Sequence, residues 1–274
     1  MLEFLSLCDS KGVGKSLELY YDNPNIIQHL EKLEQYTSFC GFDNSIRLTI
    51  EGRMLSFEPD LSFLRGKEAC IRTFFELVPT PAPIISTANS PFHTLFLTAD
   101  GQLYACGSNN NGALGLGDRN CRTSFELVPT PEPVLAIAVG DYHSLLLAVS
   151  GQVYGCGSNI EGQLGLSDTS PRTSFTLIPI PEPVQALITG DSHTLLITMS
   201  GQLYACGDNW YGQLGLGDKK NHTSFTLVPT PAPVLAVMTN RFHTKLLTVG
   251  GQVYGCGYKV NGSDDRISST SFVD

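Results

Sequence analysis

Short apolar runs alternate with small, flexible residues along this chain, and the pattern repeats at a fixed step. A typical unit opens with an apolar run of strand length at 143–149, and a Ser-Gly turn separates it from a second run at 152–156. A glycine-rich loop follows, then a short strand-like stretch at 173–178, a proline block and the apolar segment Val184–Thr189. Apolar runs of this length bounded by Gly, Pro and Ser predict β-strands. Each unit therefore predicts four strands.

The step between units is 50 residues over most of the chain. The first apolar run of four successive units begins with a histidine, at His93, His143, His193 and His243. Twelve of the 16 prolines fall in one proline block per unit, so they belong to the repeat. Periods of about 40 to 50 residues are typical of propellers and solenoids, because a single unit cannot bury its own apolar face. Four strands per unit favour the blade of an all-β propeller.

The repeats together make up a single domain. They cover 44–274, as the units 44–92, 93–142, 143–192, 193–242 and a partial 243–274. Residues 1–43 are interpreted as a degenerate partial blade, in which 4–16 is similar to the second strand and glycine loop of a unit. We expect five to six four-stranded blades, with the His-led strands lining the axis. The C-terminal strand at 270–272 is expected to complete a blade with an N-terminal strand at 5–8, so that the paired termini close the ring.

The charge balance narrows the choice of partner. Twenty-six acidic residues face 17 basic ones, for a formal net charge of −9, and the chain has no basic run. A nucleic-acid binder gains most of its affinity by neutralising phosphates with Lys and Arg. Nucleic acid and an anionic membrane are therefore not expected as partners, whereas a basic protein partner fits, because opposite potentials speed and orient encounter. We expect a monomer.

The cysteines indicate a reducing compartment. Four of the eight fall one per unit, at Cys106, Cys156, Cys206 and Cys256. A disulfide needs Cα atoms within about 7 Å, and equivalent sites in separate blades should lie farther apart. We interpret these residues as small buried apolar groups in the cytosol. The N-terminal residues 1–16 lack the basic region of a Sec signal peptide, and no apolar run reaches the roughly 18 residues that span a bilayer.

Three strings follow one another within a unit, and they carry a family resemblance. They are G-D-x-H-[ST]-L-L, G-Q-[VL]-Y-x-C-G-x-N and G-Q-L-G-L-G-D. Over roughly 44–274 this order resembles the repeats of the regulator of chromosome condensation. The resemblance implies a propeller, usually of seven blades. It also implies either nucleotide exchange on the small GTPase Ran, as in the founding member, or a binding or inhibitory scaffold. Near-copy repeats without a basic tail are similar to effectors of intracellular bacteria, which would reach the host cytosol without a Sec signal.

The sequence departs from that family pattern in three ways. It has five to six units, it lacks a basic chromatin-binding segment, and its spacing is constant from His93 to Gly257. The constant spacing leaves no room there for the protruding wedge that founding exchange factors insert at the nucleotide site. Binding is therefore the expectation, and exchange activity stays an open question.

Two sets of repeated polar residues could suggest a metal site or catalysis. The four aligned histidines could form a metal ring, but zinc ligands must converge within about 2.1 Å of the metal, so we expect each to bond across to a neighbouring blade. The residues Asp118, Asp168 and Asp218 recur identically, which favours turn caps over catalytic carboxylates. We expect no metal, no cofactor and no classical catalytic residue.

Two further motifs have structural interpretations. The string KGVGKS at 11–16 is similar to the end of a phosphate-binding loop, but that motif needs a glycine five residues before Gly14, where this chain has Asp9. We interpret it as a degenerate glycine loop of the first blade. The proline blocks could be polyproline ligands, but their place between strands favours connectors.

The residues that the repeats do not share indicate where a partner binds. Because strands alternate in direction, the loop after the second run and the position before each histidine lie at one end of the blades. Packing demands that scaffold positions repeat, so a varying end is free to specialise, and Trp and Tyr dominate binding hot spots. The alternative is that these side chains cover the propeller's own surface. The predicted partner-binding residues are Trp210, Tyr211, Asn110, Asn111, Ile160, Glu161, Phe92, Tyr142 and Phe242.

Two functions remain open from the sequence. The first is a protein-binding propeller that engages a small GTPase of the Ran type and modulates or activates its cycle. The second is a non-catalytic scaffold or inhibitor that caps another host or cellular protein.

Overall fold

The computed structural model describes residues 82–260 and 266–273, and describes residues 36–40, 45–49, 54–57 and 75–78 as backbone strands only. Predictions for residues 1–35, including the KGVGKS loop and the strand at 5–8, lie outside this part of the chain. Within it, strands form five antiparallel sheets of four. No helix there is long and apolar enough to cross a membrane.

The strands of the five sheets follow in chain order. The first sheet has β1 (Tyr36–Cys40), β2 (Ser45–Thr49), β3 (Met54–Phe57) and β4 (Phe75–Val78). The second has β5 (Ile84–Asn89), β6 (His93–Thr98), β7 (Leu103–Gly107) and β8 (Arg122–Leu127). The third has β9 (Val134–Val139), β10 (His143–Ala148), β11 (Val153–Gly157) and β12 (Arg172–Ile178). The fourth has β13 (Val184–Thr189), β14 (His193–Thr198), β15 (Leu203–Gly207) and β16 (His222–Leu227). The fifth has β17 (Val234–Thr239), β18 (His243–Thr248), β19 (Val253–Val260) and β20 (Arg266–Val273).

In the second to fifth sheets, the first strand follows a proline block and the His-led strand comes second. Successive sheets meet chiefly through their first strands, since β9 contacts β5 on one side and β13 on the other. The prediction that the His-led strands line the axis is therefore wrong, because the first strands lie there. The His-led strands lie inside their sheets, where neighbouring strands and blades cover them, and every residue of β6, β10 and β14 is buried. A continuous apolar run is typical of a strand covered on both faces.

The C-terminal strand belongs to the last sheet. In β20, Val273 pairs with Gly255 and Ser269 pairs with Gly257, both in β19. The prediction that residues 270–272 complete a blade with an N-terminal strand at 5–8 involves residues outside the described part of the chain, so it stays a prediction. All four strands of that sheet come from Val234–Val273. The Thr-Ser-Phe strand thus takes the fourth place in this sheet.

The apolar core lies between sheets. In one cluster, Leu95 and Leu103 of the second sheet pack with Leu146, Tyr154 and Phe175 of the third. The next cluster combines the third and fourth sheets in the same way. A sheet face therefore becomes buried when its neighbour in the chain packs against it, which is how repeats that cannot bury their own faces gain stability.

The last sheet is more exposed on the face that earlier sheets bury. Val253 is 58% exposed, whereas Val153, at the same place in the third sheet, is 1% exposed. Lys245 occupies the position of the fully buried Leu195 and is exposed. The substitution of lysine for leucine suits a face in contact with water, because a charged group is costly to bury.

The glycine loop of each blade reaches over to the next blade. In the loop between β11 and β12, Ser167 N donates to Thr223 O of the following sheet at 2.8 Å. Gly165 has a φ of +66°, and a Cβ there would overlap the Phe225 ring and lie 3.3 Å from Cys206 Sγ. Only glycine combines this left-handed backbone with so close an approach. The loop thus grips the fourth strand of the next sheet, and we call this contact the loop clasp.

The loop clasp recurs at three blade junctions. The glycine and the phenylalanine ring that it presses on are Gly115 with Phe175, Gly165 with Phe225, and Gly215 with Phe272. This explains why the Thr-Ser-Phe string and the glycine string repeat together, since the glycine loop of one blade packs against the Thr-Ser-Phe strand of the next. In the last sheet β19 instead extends to Val260, which pairs with Arg266.

Three of the four aligned histidines, His93, His143 and His193, join neighbouring blades as predicted, whereas the described contact of the His243 ring is with Asn240 of its own sheet. His143 Nε2 lies 3.1 Å from Thr194 Oγ1, and that hydroxyl donates to Gln163 O at 2.7 Å. Because the threonine proton is already donated, the ring Nε2–H donates to the threonine. His93 makes the same contact with Ser144 at 2.8 Å. These rings are structural links between blades.

The described cysteines are thiols. Cys156 Sγ and Cys206 Sγ each lie 3.4 Å from a carbonyl oxygen of the preceding blade's glycine loop. Burial raises the pKa of both thiols. No disulfide is present among Cys106, Cys121, Cys156, Cys206 and Cys256, and the cytosolic location stays a prediction.

The loop clasp can be tested with two glycines that share a positive φ. Gly165→Ala should lower the free energy of unfolding by about 2 to 5 kcal/mol, because left-handed strain adds to overpacking against Phe225. Gly251 has a φ of +82° and nothing within 4 Å of its would-be Cβ. Gly251→Ala should therefore cost only the backbone strain, about 1 to 2 kcal/mol. Urea denaturation measures both, and equal losses would show that the loop does not press on the next blade.

The buried histidines predict an acid-sensitive fold. Burial lowers the pKa of His93 and His193 to about 4 and that of His143 to about 3, against 6.5 for an unperturbed histidine. Below pH 6.5 these histidines become protonated in the unfolded chain while they stay neutral in the folded chain, so the free energy of unfolding falls as the pH is lowered. Each ring contributes up to about 1.4 kcal/mol per pH unit until its folded pKa is reached.

The measurement is the free energy of unfolding at several pH values between 7 and 5. His143→Asn should reduce the number of protons taken up on unfolding by about one. A variant whose pH dependence matches that of the wild type would contradict the assignment of His143 as a neutral buried ring.

Candidate functional site

Because the strands alternate in direction, two connections in each of the second, third and fourth sheets lie at the same end of the propeller. They are the connection from first to second strand and the glycine-rich connection from third to fourth. Hydrogen bonds join them: Ser158 N donates to Tyr142 O at 2.8 Å, and Asp208 N donates to Ser192 O at 3.0 Å. We call this end the loop face, formed by residues 90–92, 108–121, 140–142, 158–171, 190–192, 208–221 and 240–242. The opposite end, with the Ser-Gly turns and proline connectors, is the proline face.

Aromatic rings from different blades meet on the loop face. Phe92 and Tyr142 stack with ring centroids 4.5 Å apart and an interplanar angle of 24°. Tyr211 packs edge-on against Phe242 at 5.1 Å and against Tyr258 at 5.6 Å. Each group crosses a blade boundary, so the rings do not belong to the core of a single sheet.

Charged residues connect the two aromatic groups. Asp141 N donates to Asp191 O at 3.1 Å, across the junction of the third and fourth sheets. Arg241 Nε lies 3.8 Å from Asp191 Oδ2, and its guanidinium lies 5.2 Å from the centroid of the Phe242 ring. A continuous band therefore runs over four sheets. We call its rings the aromatic crescent, namely Phe92, Tyr142, Tyr211, Phe242 and Tyr258, and we call Asp141 and Asp191 the carboxylate pair.

The crescent is open to solvent. Its members Phe92, Tyr142, Tyr211 and Phe242 are between 37% and 39% exposed. Trp210, next to Tyr211 in the chain, is 72% exposed. Side chains of this size left so exposed are available to a partner.

The other predicted site residues lie on the loop face but outside the ring contacts. Ile160 is 65% exposed. Asn110 is exposed, and Asn111 and Glu161 are half-buried. The Glu161 carboxylate accepts a hydrogen bond from Asn221 Nδ2 of the next blade, so it contributes to the loop structure. The structure thus brings four of the nine predicted residues into one band and places the rest around it.

The carboxylate pair has an unusual electrostatic setting. Partial burial raises the pKa of Asp141, and Arg241 works in the opposite direction. Burial also raises the pKa of Asp191, to which the charges of Asp141 and Asp208 add while Arg241 opposes them. Two partly desolvated carboxylates therefore share a single nearby cation, and their negative charges are incompletely compensated.

The repeated aspartates are turn caps, as predicted. Asp118 Oδ1 accepts hydrogen bonds from Asn120 N at 2.9 Å and Asn109 Nδ2 at 3.1 Å, and Asp118 Oδ2 lies 2.8 Å from Arg122 Nη2. The hydrogen bond from Arg122 is the largest cause that lowers the pKa of Asp118 to about 2. Asp168 pairs in the same way with Arg172 at 2.6 Å. These carboxylates are fully used within their own loops.

Sequence reasoning missed Tyr258, Arg241 and the carboxylate pair. The available signal was the position two residues before each His-led strand, which reads Pro91, Asp141, Asp191 and Arg241. That position varies as strongly as the one directly before the histidine. Tyr258 had a weaker signal, because it replaces small or polar residues after the Cys-Gly pair.

The four-stranded sheets are joined by loop clasps, and their residues repeat from blade to blade at one end and vary at the other. This arrangement defines a β-propeller of tandem repeats. A family model of the regulator of chromosome condensation (RCC1) repeat matches residues 100–147, 150–197 and 200–243. A second model of the same repeat matches residues 86–113 and 134–163. The chain belongs to the RCC1 repeat family.

Solved structures share the fold. The chain is 19% identical to human WBSCR16, with a TM-score of 0.73, over 87% of this chain and 66% of that one. It is 18% identical to yeast RCC1 (Prp20) bound to Kap60, with a TM-score of 0.73, over 92% of this chain and 63% of that one. It is also 18% identical to Prp20p from Saccharomyces cerevisiae, in a structure described with the binding properties of that protein to Gsp1p and histones. The TM-score is 0.73, over 92% of this chain and 65% of that one. The chain thus spans about two thirds of the length of these structures. No curated protein sequence matches it.

Proposed function

We propose that the protein is a protein-binding propeller that engages a small GTPase of the Ran type through its loop face and modulates the GTPase cycle. The observation that carries this proposal is the aromatic crescent. Its rings are exposed and lie where the repeats differ from one another, and together with Asp141, Asp191 and Arg241 they form a band across four sheets.

The physical support comes from what the crescent would offer a partner. Large aromatic side chains supply much contact area at a small cost in conformational entropy, and they dominate binding hot spots. A propeller held by loop clasps presents these rings on a rigid frame, so little ordering is required when a partner binds. The scaffold residues of the same blades repeat almost unchanged, which leaves the loop face as the surface that differs between blades.

The choice of a Ran-type partner is supported by membership of the RCC1 repeat family and by the yeast relative described with Gsp1p and histones. The net charge of −9 also suits a basic protein partner.

A second candidate is a non-catalytic scaffold or inhibitor, and one observation favours it. The loops between third and fourth strands have equal lengths in the second, third and fourth sheets. No inserted segment interrupts these described loops, so they hold no additional element that could protrude into a nucleotide site.

Nucleotide release from a panel of small GTPases separates the two candidates. We expect this protein to bind a Ran-type GTPase, as measured by biolayer interferometry. Faster release of a fluorescent guanine nucleotide would support modulation of the cycle, whereas binding without acceleration would favour the scaffold. Failure to bind any small GTPase would contradict the first candidate.

The loop face is tested by Trp210→Ala. A desolvated tryptophan hot spot is worth about 2 to 4 kcal/mol when cut to alanine, so the affinity for the partner should fall by at least about tenfold. The fold should be unaffected, because the side chain is 72% exposed. The matched control is Thr130→Ala in a connector of the proline face, which should change affinity by less than about twofold. Weakening by the control and not by Trp210→Ala would show that the partner binds the opposite face.

A further inference from the structure

We propose that the fifth sheet is a terminal cap, which offers no junction to a following blade and keeps a second copy of the chain from stacking on it. We use the term leading face for the side of a sheet that packs on the following sheet. In the fifth sheet the leading face carries Met238, Lys245, Leu247 and Val253. This inference goes beyond the proposed function, because it concerns the packing of blades and not the partner at the loop face.

The fourth sheet shows how a leading face is normally built. Its residues Leu195 and Leu203 are fully buried, and they pack in one cluster with Leu246 of the fifth sheet. In the fifth sheet, Lys245 and Val253 hold the same two register positions. Lys245 is exposed and Val253 is 58% exposed. The leading face of the fifth sheet therefore lies open to solvent where that of the fourth sheet is buried.

The contacts that hold a following blade are also missing from the fifth sheet. Its connection from third to fourth strand lacks the glycine string that forms a loop clasp, and Val260 pairs with Arg266 instead. The His193 ring reaches a threonine of the following sheet, whereas the described contact of the His243 ring is with Asn240 of its own sheet. In its described part, the fifth sheet thus shows neither the loop clasp nor the histidine link.

A second copy of the chain could otherwise continue the series of blades. Blades pack head to tail, and contacts of this type between copies do not close on themselves, so they produce fibres. Repeat proteins avoid this outcome with terminal repeats whose outer face is polar. Lys245 supplies such a charge at a position where three earlier blades have a fully buried leucine, namely Leu95, Leu145 and Leu195.

The first sheet has a second cation at the matching position. Arg47 holds in β2 the register position that Leu246 holds in β18. Leu246 packs in one cluster with Leu195, the residue that Lys245 replaces. In a head-to-tail stack of two copies, the positions of Lys245 and Arg47 would therefore face each other. Like charges brought together at a contact oppose association, so the charges of both sheets act against stacking.

Burial of this leading face under another blade fits the observations less well. Met238 is 72% exposed and pairs with Lys245 in the neighbouring strand, so the apolar surface is interrupted by a charge. A covering blade would remove the lysine ammonium group from water, and burial of a charge without a partner is costly. In solvent, the lysine stem can lie along its apolar neighbours while the ammonium group stays hydrated.

The test is self-association of the full chain, measured by sedimentation velocity over a range of protein concentrations. We expect the wild type to sediment as a monomer. Lys245→Leu should tighten self-association by about tenfold or more, because the leading face then becomes continuously apolar and one of two opposing charges is lost. Lys245→Arg should behave as the wild type does, because it keeps the charge.

Lys220→Leu is the matched control. Lys220 is an exposed lysine of the loop face, so this variant makes the same chemical change on another surface. It should alter self-association by less than about twofold.

A second measurement probes the leading face directly. Val253→Cys and Val153→Cys are treated with a maleimide in the folded state, and the labelled peptides are identified by mass spectrometry. The two valines hold the same position in their sheets but are 58% and 1% exposed. The thiol introduced by Val253→Cys should therefore react at least about tenfold faster, since reactivity requires exposure.

Four results would overturn the inference. They are equal self-association of the wild type and Lys245→Leu, an equally strong effect of Lys220→Leu, self-association of Lys245→Arg, and labelling of Val253→Cys as slow as that of Val153→Cys. The last result would show that another blade covers the leading face. None of these measurements involves a GTPase, so they are separate from the nucleotide-release and Trp210→Ala experiments that test the proposed function.

Discussion

The contact between the glycine loop of one blade and the fourth strand of the next holds this propeller together. A sheet of four strands exposes two apolar faces, and these become buried when the neighbouring sheet packs against them. The loop clasp fixes that packing, because Gly165 adopts a left-handed φ of +66° and lies against the Phe225 ring with no space for a Cβ. The histidine links act at the same junctions, where His143 bonds to Thr194 of the following blade. Both contacts join consecutive blades, so the stability of each blade depends on its neighbour in the chain.

This arrangement explains why the two faces of the propeller differ. Residues that form the clasp, the histidine links and the proline connectors serve packing and recur from one unit to the next over most of the repeats. The tips of the glycine loops and the short connection before each His-led strand carry little of that packing. They could therefore diverge, and it is there that Trp210, Tyr142 and Arg241 accumulated. The aromatic crescent and the carboxylate pair are built from residues that differ between blades, on a frame that does not.

The sequence predicts the strands and their four-fold grouping well, because the apolar runs and turn residues repeat at one step. It does not reveal where a blade starts. A cyclic pattern of four strands has no marked beginning, so the His-led strand could stand first by sequence although it stands second in each sheet. For the site, the sequence predicts only that it lies at the end of the propeller where residues differ between repeats. The contact of Arg241 with Asp191 joins two blades, and no local pattern in either blade indicates it.

The loop clasp also has a direction along the chain. The loop always precedes its receptor: Ser167 lies 57 residues before Ser224, to which its hydroxyl is hydrogen-bonded. A chain leaving the ribosome therefore displays each glycine loop well before the strand it grips has been made. During synthesis, a blade can be locked only after most of the following blade has emerged. Assembly of the propeller thus trails translation by about one repeat, and each newly made blade completes the one before it.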